Sequence, residues 1–207
     1  MADAKQPGPL GLGSVAKIDT GTMVLTDTPP PGVIGLEAGK SAPPPPDPAA
    51  VAARILAWAV QALDQKTGDG ECFALVDGTL RAAGARSAAN FKPVRPFDDY
   101  IWGTETTLAD ARPGDVIQFR NHKITKTVED SKDKSTTFEE RAPNHSAIIE
   151  KVEGGGVFTI IEQNAPVEGS WGHRSRIHLT DAQEKSGDTT TTYKVAGRIW
   201  IYHPQPK

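Results

Sequence analysis

Apolar and polar positions fall into distinct regimes along the chain. From Val51 onward, apolar residues recur at Val51, Ile55, Leu56, Ala59 and Leu63. That spacing predicts a helix of about five turns with one apolar face. Asp47 followed by Pro48 marks its start: a side-chain acceptor at the cap, then a residue that needs no N–H partner. Its end is expected near Thr67–Gly68. A second helix is expected from about Cys72 to Ala83, with Phe73, Val76 and Leu80 on one face and Gly84 closing it. Beyond Asn90 the pattern becomes that of strands. Asp115–Arg120 follows a Pro113-Gly114 turn. Lys123–Glu129 and Ser135–Arg141 flank a charged segment, Asp130–Lys134, and read as a solvated hairpin. His145–Val152 and Val157–Gln163 flank a turn at Gly154–Gly156, and Gly197–His203 forms the last strand. Helices first and consecutive strands after predict an α+β fold, with the helices packed on an antiparallel meander or small barrel-like sheet.

Residues 1–48 follow neither pattern. They hold ten of the 17 prolines and bury too little apolar surface to offset the entropy of ordering. A disordered Pro/Gly-rich tail or linker is expected there, with Pro43–Pro46 as a stiff spacer. Thr22–Thr26 is its one candidate strand, and the segment 1–48 a candidate arm for a partner protein. Residues 49–207 then make one domain. Lys+Arg 23 against Asp+Glu 26 gives a net charge of −3. Nucleic acid and membrane surfaces need a basic face and are not expected partners. There is no apolar run of about 18 residues. The start MADAKQPGPLGLG lacks a basic stretch followed by an apolar core, so no secretory signal is read. Cytoplasmic synthesis is expected, with specialised secretion or lysis as the route of release. A single cysteine excludes an intramolecular disulfide and a Cys-rich zinc site.

That cysteine carries the candidate chemistry. Cys72 ends the run Gly68-Asp69-Gly70-Glu71-Cys72, where glycines admit close approach and a helix begins. Unpaired N–H groups and the positive end of the helix dipole favour a thiolate there. A thiolate needs a base, and His145 opens an apolar strand in line with Ala147 and Ile149. A hairpin turn at Gly154-Gly155 sets His145 opposite Asn164, with Glu162 diagonal on the same face. A turn at Glu153-Gly154 sets it directly opposite Glu162. A slip of one residue separates them. Glu162 is also a charge that ends an otherwise apolar run, Val157–Ile161. Cys72 is therefore the candidate nucleophile and His145 the base, with Glu162 or Asn164 orienting it. The Cys72 N–H is a natural oxyanion donor. Of the other histidines, His122 and His203 read as solvated, and His173 and His178 as weaker candidates for lining a substrate groove. Trp102 and Trp171, each beside a glycine, are candidates for stacking on substrate.

Taken together, Gly70-Glu71-Cys72, Pro113–Ile117, His145–Ile149 and Ile160–Asn164 resemble a CHAP domain, the cysteine, histidine-dependent amidohydrolase/peptidase family. It is related to the NlpC-type peptidases within the papain-like fold. The resemblance covers about residues 65–203. It implies a catalytic set of Cys72, His145, Glu162 and Asn164, and cleavage of amide bonds in peptidoglycan. Asn121–Asn144 stands out as an insertion. Some relatives bind calcium near the cysteine. Asp64 and Asp69 are too few for such a cage, so no metal or other cofactor is expected. A protein-directed protease or toxin, and a non-catalytic papain-like interaction module, are the alternatives.

Overall fold

The computed structural model describes residues 47–141 and 143–207. The tail expected over 1–48 lies outside them apart from Asp47 and Pro48, as does Thr22–Thr26. Helix α1 spans Pro48–Gln61, and the Asp47 carboxylate caps it by accepting from the Ala49 N–H at 3.0 Å. It stops short of the expected Thr67. The backbone beyond it pairs elsewhere: Asp64 turns to a φ of 60° and its N–H donates to the Gly172 carbonyl at 2.7 Å. Helix α2 spans Cys72–Ala82, as expected within one residue. Its buried face is Leu75, Val76 and Leu80, while Phe73 is only partly buried against the same cluster. A short 3-10 turn follows at Ala88–Asn90.

Among the described residues, eight strands form one antiparallel sheet: β1 (Thr104–Thr106), β2 (Val116–Glu129), β3 (Lys134–Glu140), β4 (Asn144–Gly154), β5 (Val157–Glu162), β6 (His173–His178), β7 (Ala182–Ser186) and β8 (Thr189–His203). The order is β1-β8-β2-β4-β5-β6, with β3 also on β2 and β7 also on β8. The sheet is therefore not the expected meander, because the last strand inserts between β1 and β2. Two segments read as separate strands, Asp115–Arg120 and Lys123–Glu129, are one bulged strand. The final strand starts at Thr189, eight residues before Gly197. The run Thr189–Thr192 is polar yet β-branched, and pairing with β2 and β7 holds it extended. The Lys123–Glu129 half of β2 pairs with β3 as the expected hairpin, and β3 is almost wholly exposed.

Alternation along the strands divides the core. Val116, Ile148, Ile161 and Tyr202 face the helices and meet Val51, Ile55, Leu75 and Leu80. Ile117, Phe119, Ala147, Ile149, Phe158, Ile160 and Ile177 face the other way. His145 and Glu162 share that second face by their period of two. The hairpin turn is Gly155–Gly156, neither of the two expected. Two irregularities in the β4–β5 ladder then restore the pairs Ile148 with Ile161 and Ile149 with Ile160. That is the register in which Glu162 lies diagonal to His145.

Candidate active site

Cys72 stands at the first turn of α2, half-buried, and no side chain caps that helix start. The loop before it closes tightly: Gly70 has a φ of 100°, which only glycine adopts without strain, and Asp69 accepts from the Glu71 N–H at 3.0 Å. The free amides of the first turn point out of the helix at the thiol's end.

His145, buried at the start of β4, carries Glu162 on its Nε2 at 2.9 Å. Burial pushes the imidazolium down in pKa. The hydrogen bonds and charges of Cys72 and Glu162 outweigh that and lift it to about 9. Burial likewise pushes Glu162 up, but His145 and Arg141 hold it down at about 2. The surroundings thus favour the protonated ring, with the Glu162 carboxylate on its Nε2 and Cys72 lining the same cleft. Phe119 stacks beside the imidazole, ring planes inclined by 26° and centroids 5.8 Å apart.

Arg141, at the end of β3, was not read from the sequence. Its guanidinium is fully buried and grips Glu162 with two hydrogen bonds, from Nε and Nη2, each of 3.0 Å. Nη1 reaches Glu139 at 2.7 Å. A buried carboxylate in an apolar run requires such a partner, so Glu162 was the signal for it. Gln163 was also missed. Fully buried, it accepts from the Thr67 N–H at 2.7 Å and donates to the carbonyls of Thr67 and Glu71 at 3.1 and 3.0 Å. It thereby ties the end of β5 to the loop that presents Cys72. Asn164, at a φ of 63°, donates to the Glu71 carboxylate at 2.9 Å. Consecutive residues therefore hold three parts of the site. Glu162, not Asn164, is the group hydrogen-bonded to His145.

A cleft of about 430 Å³ opens over Cys72 and His145. Phe73, Val94, Pro96, Phe97, Tyr100 and Pro143 give it an apolar wall, and Asp69, Glu71, Asn144 and Asn164 a polar one. Trp102 does not line it. That residue has no accessible surface; its indole N–H donates to Gln118 at 3.1 Å, and its ring backs Phe73 and Tyr100 at 5.4 and 5.5 Å. Substrate stacking on Trp102 is thereby excluded. Trp171 is exposed, and it too lies outside the cleft lining.

The remaining histidines depart from expectation. His122 is buried, not solvated, because the bulge at Arg120–Lys123 and the left-handed Asn121 turn it onto Phe119. Burial, and next the charge of Arg141, lower it to about 4. His203 is partly buried, and its Nδ1 meets Asp115 at 2.8 Å. His173 lies 3.9 Å from Glu162, and His178 is buried against the Tyr193 ring. Among the described residues, no three His, Cys, Asp or Glu side chains cluster to hold a metal ion, and no helix is long and apolar enough to cross a membrane.

A helix-borne thiol, a strand-borne imidazole and a carboxylate behind it are the layout of a papain-like cysteine proteinase fold. A family model, the AIM3/BBC1 cysteine proteinase-fold domain, matches residues 48–204. The chain belongs to that family. The match bears out the papain-like part of the motif resemblance; the finer likeness to CHAP domains rests on the motifs alone. No curated protein and no solved structure matches the chain.

Proposed function

We propose that this domain is a cysteine-dependent amide hydrolase. The observation that carries the reading is the buried imidazole of His145, which lines the same cleft as Cys72 and meets on its Nε2 a Glu162 carboxylate that Arg141 holds in place. In this reading the Cys72 sulfur attacks the amide carbonyl carbon. The oxyanion that forms takes hydrogen bonds from the Cys72 N–H at the positive end of α2. His145 then gives its proton to the departing amine, and the C–N bond breaks to leave a thioester. Neutral His145 next takes a proton from water, whose oxygen attacks the thioester. The carboxylic acid leaves and the thiolate–imidazolium pair is restored. Glu162 stabilises the imidazolium throughout and does not itself take the proton.

Peptidoglycan amides are the substrate that the CHAP resemblance implies, and protein peptides are what a cysteine proteinase fold supports more broadly. Incubation with labelled sacculi and with labelled unfolded casein separates the two. Release of label in one, lost in Cys72→Ala and reduced about 10²- to 10⁴-fold in His145→Ala, is the expected result. Release in neither, or release that survives Cys72→Ala, contradicts the proposal.

A further inference from the structure

The wall of the cleft formed by residues 91–101 points to a defined substrate class. Two of its large apolar side chains face water: Phe97 is 81 % exposed and Val94 39 % exposed. This loop is fastened at several points. The Tyr100 hydroxyl donates to the Arg95 carbonyl at 3.1 Å, Lys92 pairs with Asp98 at 3.0 Å, and Asp99 pairs with Arg120 on β2 at 2.8 Å. Asn144, the neighbour of His145, donates to the Phe97 carbonyl. Phe97 itself holds a φ of 59°, a conformation that bulky residues rarely adopt. Such strain persists only where the surroundings enforce it, and it concentrates at functional sites. The sequence thus places a large apolar ring in water, on a fixed and strained backbone, beside the thiol. The cleft lining also carries Asp69 and Glu71, and among the described residues no lysine or arginine lines it.

We infer that the cleft binds a peptide segment with a bulky apolar side chain and without acidic side chains. The apolar group lies on Val94, Pro96 and Phe97, and Asp69 and Glu71 repel carboxylates. This inference rests on the amide-hydrolase reading and names its substrate class. Because the shelf is held open before binding, little ordering entropy opposes the contact.

The test uses Cys72→Ala protein, so that peptides bind without turnover. Blocked tripeptides with Phe, Lys or Asp at the centre, flanked by Ala, are titrated while backbone amide shifts are followed. The Phe peptide is expected to bind about 10- to 100-fold tighter than the Asp peptide, with shifts centred on residues 94–100. Phe97→Asn, which suits a left-handed backbone, should remove most of that preference, and Phe97→Leu should keep most of it. Equal binding of the three peptides, shifts elsewhere, or an unchanged preference in Phe97→Asn overturns the inference. Alkylation of Cys72 in the unsubstituted protein is measured in parallel. A reactive thiol without peptide preference sinks the specificity inference alone. An inert thiol with peptide preference leaves the cleft as a binding groove and sinks the hydrolase reading.

Discussion

Glu162 sits between two cations, and each does something different to it. The Arg141 guanidinium holds both carboxylate oxygens from one side, and His145 Nε2 takes one of them from the other. Arg141 is thus a positioning residue acting through Glu162. The two make opposite predictions. Glu162→Gln removes the charge that lifts His145, so the basic limb of the kcat/KM profile should move to lower pH. Arg141→Lys keeps a charge but gives up the planar two-donor grip. Arg141→Met removes the charge, so a freed carboxylate should hold His145 charged to higher pH. Arg141→Met leaves Glu162 with one partner in the interior and should cost about 3–5 kcal/mol of stability. Arg141→Lys is the milder variant, and activity in it should fall at least about 10-fold with the fold retained. Identical pH profiles in Glu162→Gln and Arg141→Met contradict the positioning role. Cys72, His145 and Glu162 were legible in the sequence because each breaks a local rule: a thiol after glycines, a ring at the head of an apolar strand, a charge inside an apolar run. Arg141 and Gln163 break none locally. Their roles come from contacts 21 and 92 to 96 residues away in the chain.

At the level of elements, the fold places each group by a different device. The start of α2 sets the thiol, the head of β4 sets the imidazole, and the tail of β5 sets the carboxylate. Their mutual register depends on one hairpin. The even or odd offset between β4 and β5 was what mattered for chemistry: both turns read at the glycines give an odd pairing sum, which sets His145 and Glu162 on one face, and a slip of one residue would separate them. The turn itself was misplaced because three consecutive glycines, Gly154–Gly156, give several turns equal local support. Bulges inside the ladder leave no mark in the pattern. The return of β8 between β1 and β2 was illegible for a related reason: pairing partners distant in sequence are chosen by the whole core. The expected solvated hairpin, by contrast, was set by alternation and charge alone. Its root carries Arg141 and His122, whose main chains are joined by a hydrogen bond of 3.0 Å. The hairpin therefore reaches the candidate site through its base, not its tip.

For the molecule as a whole, the buried titratable groups predict an acid limb of stability. His122 titrates at about 4 when folded against 6.5 when free. The unfolded chain therefore binds the extra proton first, and stability is lost as pH falls from about 6.5 to 4. Glu162 titrates at about 2 against 4.5, so its contribution is present above 4.5 and is lost as pH falls through 2. Two successive losses are expected in denaturant titrations, each with a steepest slope of about 1.4 kcal/mol per pH unit. His122→Phe, packed on Phe119, should remove the first and spare the second. A flat profile between pH 6.5 and 4 in the unsubstituted protein contradicts this placement of His122. The central claim concerns Cys72 and His145, and the chain's single cysteine makes it directly measurable. The measurement is the rate of iodoacetamide alkylation against pH, in the intact protein and in His145→Ala. An ordinary thiol titrates near about 8.5, and a thiol paired with an imidazolium lower. Fast alkylation at pH 6, slowed at least about 10-fold by His145→Ala, is the predicted result. Alkylation that appears only above pH 8, or that is indifferent to His145, contradicts a working thiolate–imidazolium pair.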